Sequence, residues 1–559
     1  MAAEFDLRLG VRVPVRSGNT LAAQLYLPRA KGPFITVLQL TPYTADSIHP
    51  WASYFARDGF AFLSVNCRGR GGSTGRFRPF VDDARDGHDA VEWAAHQPWS
   101  DGRVVMSGGS YAGFTQWAAA SQRPRHLAAI APIASAYPNW DFPRAGGILP
   151  TYVARWLGYA QGAARNVALF DDMEFWEAYH RRALVGHRTI AEDRALLGSQ
   201  GALREWLAHP DDDAYWKAMR PTPRQYTSMR MPILSICGQY DGDAPGALRY
   251  YAEHRRHVPR GRHDLVIGPW DHRGTREPQR RFGGLSFGAA SVFDIRALLC
   301  EWYRWALGRG PRPKFLHDTV ALYIAGDERW EYARHLDELE TPAARFYPEA
   351  ESRDASRLSR AGTLAKRRPD PHVRKYRRDP LDTREGLVEL RGKTFSQENE
   401  TRALRGTGLV FTSAPLARGL KIVGRPVVTA WLRLDAPDAD FKLWFDEIRR
   451  DGREVPITTM RLRARYRDSL ATPRLLKPGE WTAFDFQGAF FVARRLAKGS
   501  RLRMVITTPV SPHLERNLNT GGRIGREPLA KARKVTVEMA LGGERAAVLR
   551  FEATPSGAG

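Results

Sequence analysis

Residues 104–113 have the sequence Val-Val-Met-Ser-Gly-Gly-Ser-Tyr-Ala-Gly, in which a short apolar run leads into small residues around Ser110. This pattern predicts a strand, a tight turn and the start of a helix. Such a turn exposes the serine Oγ and directs the first amides of the helix at a developing oxyanion, and it requires small flanking residues. Gly108 and Ala112 meet that requirement, although Ala112 breaks the strict Gly-x-Ser-x-Gly pattern. A glycine-rich structural turn is the alternative, but the strand–turn–helix context favours Ser110 as a nucleophile.

The segments around this turn alternate between short apolar strands and helices. Strands are predicted at residues 34–40, 60–66, 103–107 and 127–133, and helices at 83–97 and 111–121. Alternating strands and helices indicate an α/β domain with a parallel sheet that is covered on both faces.

The remaining chain divides into three further segments. Residues 150–229 show aromatic and aliphatic residues at helical spacing, whereas strands resume at 232–237 and 264–267 and a helix follows at 289–307. After residue 312, short alternating segments separated by turn residues predict a β-sandwich or jelly roll. The predicted domains are a core of residues 1–149 and 230–311, a helical cap inserted at 150–229, and a β domain at 312–559.

A serine nucleophile needs a histidine base and an acid that orients the base. In one known arrangement both follow the serine, acid first, on loops after later strands. Asp241 follows the strand at 232–237 and His272 follows the strand at 264–267, at strand ends where α/β sites form. Asp243 is the alternative acid, but Asp241 is closer to its strand. Other histidines lie in a basic stretch and are expected to be solvated: His254, His257 and His263.

The composition of the 559-residue chain limits its class and its partners. Apolar residues at 43% and charged residues at 26% indicate a globular protein of two or three domains. No apolar run would span a membrane, the N-terminus lacks a hydrophobic signal segment, and three cysteines form no paired motif. We therefore expect a cytoplasmic protein without membrane association.

The net charge of +24 would suit a nucleic-acid partner. However, the basic residues are scattered along the chain and no nucleic-acid-binding motif is present, so no specific nucleic acid is expected. Zinc-binding and phosphate-loop motifs are also lacking, and we expect neither a metal nor a cofactor.

Several short motifs are shared with a known family of serine hydrolases. They are Thr41-Pro-Tyr43, Asn66-Cys-Arg-Gly69, Ser73-Thr-Gly75, Gly108-Gly-Ser-Tyr-Ala-Gly113, Tyr240-Asp-Gly242, Gly268-Pro-Trp-Asp-His272, Phe411-Thr-Ser-Ala-Pro-Leu416 and Asn517-Leu-Asn-Thr-Gly521. With them the chain resembles the family that includes cocaine esterase, X-prolyl dipeptidyl-peptidases and α-amino-acid ester hydrolases. The resemblance implies an α/β-hydrolase core with an inserted helical cap and a C-terminal β jelly-roll domain.

The resemblance also implies roles for individual residues. Ser110 would be the nucleophile, His272 the base and Asp241 the acid. The oxyanion hole would consist of the Tyr111 backbone N–H and the Tyr43 hydroxyl, which both donate without titrating near neutral pH. From the residues alone, Tyr43 is equally well an aromatic at the end of a core strand.

The substrate pocket is less well defined by the sequence. In the α-amino-acid ester hydrolases of this family, acidic residues bind the substrate ammonium, and Asp141 and Asp243 stand where such acids would lie. The family has further acids beside the catalytic one, where this chain has Ala244, so the resemblance does not establish an α-amino requirement. Four aromatic residues are candidates for the pocket, with the core as the alternative for each: Phe114, Trp140, Trp156 and Trp270.

These features together predict a serine hydrolase that cleaves an ester or amide of a small acyl or aminoacyl group through an acyl-enzyme. Its partner would be a small-molecule substrate, and the activity would be that of a carboxylic ester hydrolase, an acylase or a peptidase. Acyl transfer to an amine is an alternative. Peptidase action on X-Pro substrates is disfavoured because the long N-terminal extension of those enzymes is missing. A non-catalytic binding protein would have lost a triad residue, and the oligomeric state, homodimer included, stays open.

Overall fold

A computed structural model describes residues 4–43, 48–161, 166–187, 201–341, 344–350, 362–390, 404 and 406–552. Its first twelve strands are β1 (Phe5–Pro14), β2 (Thr20–Pro28), β3 (Phe34–Thr41), β4 (Ala61–Asn66), β5 (Ser100–Gly109), β6 (Leu127–Ile133), β7 (Ile233–Gly238), β8 (His263–Gly268), β9 (Arg281–Phe282), β10 (Leu285–Ser286), β11 (Val320–Ile324) and β12 (Arg329–Ala333). Ten of them form one sheet in the order β1-β2-β4-β3-β5-β6-β7-β8-β11-β12, and β9 pairs with β10. Strands β3 to β8 and β11 are parallel, as the strand–helix alternation predicts.

The first sheet continues beyond residue 311, where the sequence analysis ended the hydrolase core. Strand β11 pairs in parallel with β8, and β12 pairs antiparallel with β11. All five residues of β11 are buried, which is typical of a parallel strand covered on both faces.

Helices cover the sheet and form a separate segment between β6 and β7. They are α1 (His49–Arg57), α2 (Asp83–Ala95), α3 (Tyr111–Ser121), α4 (Tyr152–Gln161), α5 (Asn166–Asp171), α6 (Met173–Val185), α7 (Gly201–Ala208), α8 (Ala214–Lys217), α9 (Pro223–Ser228), α10 (Ala244–His257), α11 (Ile295–Ala306) and α12 (Arg384–Glu389). Helices α4 to α9 lie within the segment predicted to be helical. Helices α3 and α10 pack together, with Trp117 stacked on Tyr250 at 4.8 Å. In the ranges given above, no helix has the length and apolar character needed to cross a bilayer.

Two histidines that the sequence predicted to be solvated are wholly buried. The His254 and His263 Nδ1 atoms are 3.0 Å apart. His254 Nε2 hydrogen-bonds with the Met229 carbonyl at 3.0 Å, and His263 Nε2 hydrogen-bonds with Ser235 Oγ at 2.9 Å. The prediction was wrong because His254 lies on the face of α10 that packs against the sheet and His263 begins the buried strand β8. His257, also on α10, is half-buried.

The second domain is a β-rich jelly roll. Its strands are β13 (Ala344–Glu349), β14 (Gly362–Ala365), β15 (His372–Arg378), β16 (Gly408–Ser413), β17 (Leu420–Leu434), β18 (Asp440–Ile448), β19 (Glu454–Arg463), β20 (Trp481–Phe486), β21 (Val492–Leu496), β22 (Arg501–Thr507), β23 (Val535–Leu541) and β24 (Val548–Glu552). The long strand β17 pairs with β20, β21, β23 and β24. Buried aromatic residues such as Phe441, Phe484 and Phe486 fill its core.

Polar contacts fix the loop after β6 against the second domain. The buried Arg463 pairs with Asp440 at 2.8 Å and with Glu515 at 2.9 Å, and it donates to the Gly147 carbonyl at 3.0 Å. A Cβ atom at Gly146 would lie 1.9 Å from the Arg461 carbonyl oxygen, so only glycine fits there. The two domains therefore enclose a common space above the nucleophile turn.

Candidate active site

Ser110 occupies a strained turn between β5 and α3. Its φ of 62° and ψ of −123° are unusual for a residue with a side chain, and its N–H donates to the Ile133 carbonyl at 2.9 Å. A Cβ atom at Gly108 would lie 2.7 Å from that of Ala112. The small residues that the sequence analysis noted therefore permit a turn that projects Ser110 from the sheet edge.

The predicted acid and base meet at the carboxyl ends of β7 and β8. His272 Nδ1 donates to Asp241 Oδ1 at 2.7 Å, and Asp241 is completely buried. The side chain of His272 remains 39% exposed, and it lines the same cavity as Ser110. Because Nδ1 is held by Asp241, Nε2 is the His272 nitrogen that is left to accept a proton.

The charge state of His272 depends on this pairing. Burial lowers the pKa of His272, but the charge of Asp241 and its hydrogen bond raise the pKa, and the net pKa lies above the usual 6.5. Asp241 therefore stabilises the imidazolium that forms when the ring takes a proton.

Tyr111 is held rigidly at the start of α3. As the first residue of the helix, its backbone N–H has no intrahelical acceptor. Its hydroxyl donates to Asp83 Oδ2 at 2.6 Å and accepts from the Phe80 N–H at 2.6 Å. Burial raises the pKa of Asp83 to about 7. Sequence reasoning missed Asp83, because nothing in its own stretch of sequence links it to Tyr111.

Tyr43 lies two residues beyond the end of β3, next to Ser110. Its hydroxyl accepts a hydrogen bond from Trp156 Nε1 at 3.2 Å, and its ring stacks on Tyr159 at 5.1 Å. Burial raises the pKa of Tyr43, while hydrogen bonding with Trp156 and Ser110 opposes that rise. The hydroxyl therefore lies beside Ser110 and has a proton to donate at neutral pH.

Two carboxylates lie beside the triad. Asp243 Oδ2 is 3.8 Å from His272 Nδ1, and burial raises the pKa of Asp243 to about 6. Asp141 accepts from the backbone N–H groups of Tyr137 at 2.8 Å and Gly246 at 2.7 Å. Burial and the charge of Asp243 raise the pKa of Asp141 well above its ordinary value. Both carboxylates line the cavity, as the resemblance implies.

The cavity above Ser110 has a volume of about 1050 Å³, and two of the four candidate aromatic residues line it. Trp140 and Trp156 contribute to its wall, whereas Phe114 and Trp270 do not. Phe114 is wholly buried and packs edge-on against Phe80 at 4.8 Å. Trp270 is wholly buried too, and its Nε1 donates to the Ser291 carbonyl at 2.8 Å. Their assignment to the pocket was wrong because both pack within the core.

Arginines near the site were also missed by the sequence analysis. Arg425 and Arg461 line the cavity from the second domain. Arg276 approaches the turn closely, since a Cβ atom at Gly109 would lie 2.5 Å from its Nη1. The charge of Arg276 lowers the pKa of Asp243. In a chain this rich in arginine, no sequence signal distinguishes these three.

Two groups of side chains in the described ranges bring possible metal-ligand atoms within 4.8 Å of one another: Glu92, His96 and His126, and Asp241, Asp243 and His272. Internal hydrogen bonds already use several of these atoms. His126 Nδ1 hydrogen-bonds with Glu92 Oε2 at 2.7 Å, and His272 Nδ1 is held by Asp241. The second group therefore has the geometry of an acid and base pair.

Protein-family comparisons divide the chain into two parts. Residues 17–274 match the model of the X-Pro dipeptidyl-peptidase (S15 family). Residues 317–544 match the X-Pro dipeptidyl-peptidase C-terminal non-catalytic domain.

Individual relatives span nearly the whole chain. Cocaine esterase from Rhodococcus sp. (strain MB1 Bresler) is 27% identical, over 94% of this chain and 94% of that protein. An α-amino-acid ester hydrolase has a similar structure, with a TM-score of 0.81, 20% identity and coverage of 98% of this chain and 96% of that one. An aminopeptidase from a marine sediment Thaumarchaeota archaeon is similar to a TM-score of 0.79, with 19% identity and coverage of 98% and 96%.

Proposed function

Since the chain is a serine hydrolase that joins the catalytic domain of the X-Pro dipeptidyl-peptidase (S15) family to that family's C-terminal domain, we propose that Ser110, His272 and Asp241 cleave its ester or amide substrate. The hydrogen bond of 2.7 Å between His272 and the buried Asp241, in the cavity that Ser110 lines, carries this proposal. Acyl transfer and a purely binding role have no comparable support.

The proposed reaction proceeds through an acyl-enzyme. His272 Nε2 takes the proton of Ser110 as Oγ attacks the substrate carbonyl carbon, and Asp241 stabilises the resulting imidazolium. The Tyr111 N–H and the Tyr43 O–H donate to the oxyanion of the tetrahedral intermediate. His272 then gives its proton to the departing alcohol or amine. In the second half of the cycle His272 activates a water molecule, which releases the acid and restores Ser110.

We further propose that Asp141 and Asp243 bind an ammonium group on the acyl part of the substrate. Both line the cavity, burial raises the pKa of both carboxyl groups, and the charge of Asp243 raises the pKa of Asp141 further. A bound cation would relieve the cost of holding two carboxylates in a partly dry cavity. This favours α-amino acyl substrates. The three unpaired, buried cysteines agree with a cytoplasmic location, which is also part of the proposal.

The nucleophile can be tested by intact-protein mass spectrometry after reaction with a fluorophosphonate. We expect a single adduct on the wild type and none on Ser110→Ala. A folded wild type that gains no adduct, or a Ser110→Ala variant that keeps it, would reject Ser110 as the activated nucleophile.

The ammonium site can be tested with two matched esters, phenylglycine methyl ester and phenylacetic acid methyl ester. We expect Asp243→Asn to lower kcat/KM for the amino ester by roughly 10-fold or more, because a charge-assisted hydrogen bond is lost. The deaminated ester should be much less affected. Asp468 also lines the cavity, beside Arg467, and Asp468→Asn is the matched control. Equal losses on both esters would reject the ammonium site.

A further inference from the structure

Two arginines of the second domain face the cavity opposite Ser110. Arg425 lies on β17 and Arg461 on β19, and both contribute to the wall of the same cavity as Ser110 and His272. On β19, Arg461 alternates with inward-facing residues and shares its half-buried face with Thr459. Both side chains are half-buried, so their charges are partly removed from water.

Neither guanidinium is neutralised by a carboxylate of the described residues. Within the described ranges, Arg425 and Arg461 form no ion pair and no side-chain hydrogen bond, and Arg425 Nε is buried without a partner. The charge of Glu340 acts on Arg425 and that of Glu389 acts on Arg461, but neither acid pairs with its arginine. Glu389 lies 4.0 Å from Lys442 instead.

Neighbouring arginines of the same cavity behave differently. Arg249 pairs with Glu253 at 2.6 Å, and Arg467 donates to the carbonyls of Ala464 and Arg474. Only two residues from Arg461 along β19, Arg463 has two carboxylate partners within 3 Å. These arginines have structural partners, whereas Arg425 and Arg461 have donors that remain available.

A partly buried and unpaired charge is costly, and an anionic ligand would remove that cost. Burial lowers the pKa of both arginines, because the charged form of each guanidinium is less well solvated there than in water. A guanidinium presents its N–H groups as a planar fork that matches the two oxygens of a carboxylate.

We propose that Arg425 and Arg461 make this wall of the cavity an anion subsite, in which one or the other guanidinium binds a carboxylate of the substrate, away from the carbonyl that Ser110 attacks. The enzyme then prefers esters or amides that carry a carboxylate on the acyl part or on the leaving group. This inference rests on the proposed function of Ser110, and it adds a substrate class to it. Together with Asp141 and Asp243, the subsite suits substrates that carry both charges.

The test compares two pairs of substrates, each with one member that carries a carboxylate and one member that does not. The acyl pair is the 4-nitrophenyl monoester of glutaric acid and 4-nitrophenyl valerate. The leaving-group pair is 3-carboxyphenyl acetate and 3-carbamoylphenyl acetate. We expect the carboxylated member of one pair to have the higher kcat/KM, and the pair that responds identifies the side of the substrate that the arginines hold.

The variants are Arg425→Gln and Arg461→Gln, with Arg418→Gln as an exposed control on the same domain. Loss of a charge-assisted hydrogen bond should lower kcat/KM for the preferred carboxylated substrate by roughly 10- to 100-fold. The neutral partner should be cleaved as before, which also shows that the variants are folded. Arg418→Gln should change neither rate.

Two outcomes would overturn the proposal: no preference for carboxylate in either pair, or equal losses on charged and neutral substrates. Calorimetric titration of Ser110→Ala with the same four compounds separates the subsite from the chemistry. If the wild type cleaves none of them and takes no fluorophosphonate, the proposed function fails. Even then, tighter binding of the carboxylated compounds would establish the subsite if Arg425→Gln and Arg461→Gln abolished that preference. Equal binding of the carboxylated and neutral compounds would reject the subsite.

Discussion

Tyr43→Phe isolates the proposed contribution of one hydroxyl to the oxyanion hole. The Tyr43 hydroxyl accepts from Trp156 Nε1 at 3.2 Å, and an indole nitrogen can only donate. The single proton of Tyr43 is therefore free to point at the oxyanion that forms on the substrate of Ser110. Phenylalanine keeps the ring that stacks on Tyr159 but has no donor.

The loss of one oxyanion donor costs about 2.7–4 kcal/mol in the transition state, so kcat should fall by roughly 10²- to 10³-fold. The same change leaves the buried Trp156 N–H without an acceptor, which lowers the free energy of unfolding by about 1–3 kcal/mol. Trp156→Phe is the matched control, because it breaks the same hydrogen bond but keeps the hydroxyl of Tyr43. A neutral hydrogen bond contributes about 0.5–1.5 kcal/mol, so this control should lose roughly 10-fold at most.

The assay is steady-state hydrolysis of 4-nitrophenyl acetate, with thermal unfolding measured on each variant. A large fall in kcat for Tyr43→Phe with a small fall for Trp156→Phe supports the oxyanion role. An unchanged kcat for Tyr43→Phe would refute the oxyanion role and indicate that Tyr43 serves only in packing. Equal losses for both variants would assign the effect to the disturbed hydrogen bond instead.

Asp241→Asn should lower kcat by about 10⁴-fold, because the amide favours the wrong tautomer of His272. Single-turnover kinetics would measure this loss, and a loss of only a few-fold would show that Asp241 is not the acid of the triad. Asp241 holds the pKa of His272 above 6.5, so kcat/KM of the wild type should fall as the pH drops through that pKa. A pH profile whose acid limb lies entirely below pH 6.5 would contradict the pairing of His272 with Asp241. Burial lowers the pKa of both His254 and His263, so the unfolded chain binds more protons than the folded one below about pH 6.5. The free energy of unfolding should therefore fall as the pH drops from 6.5, and His254→Gln should weaken that dependence in urea titrations; an unchanged slope would show that other groups cause it.

Local patterns were sufficient to predict the elements that carry the proposed triad. The structure has α3 and β6 at the residues predicted for them, since the turn at Ser110 depends on small residues next to one another in sequence. Asp241 and His272 follow buried strands, so their positions at one sheet edge follow from the parallel sheet. Their catalytic roles remain predictions that the substitutions above would test.

Some errors could have been avoided from the sequence itself. Ala247, Tyr250, Tyr251 and His254 recur at helical spacing, and this stripe predicts the buried face of α10 on which His254 lies. The basic neighbours of His254 hid that pattern. The all-apolar run of β11 likewise has the character of a buried parallel strand, although it follows the predicted domain boundary.

The binding groups of the cavity are different, because no local pattern can identify them. Arg461 and Arg463 are two residues apart on one strand and have the same side chain, yet among the described residues Arg463 has two carboxylate partners and Arg461 has none. The difference lies in the groups that the fold brings next to each arginine, and the two carboxylates beside Arg463 come from positions 23 and 52 residues away in the chain. The turn at Ser110 needs only its own neighbours to take its shape. Hydrolysis could therefore be inferred from a short stretch of chain, whereas the proposal of a charged substrate depends on the cavity that the two domains enclose.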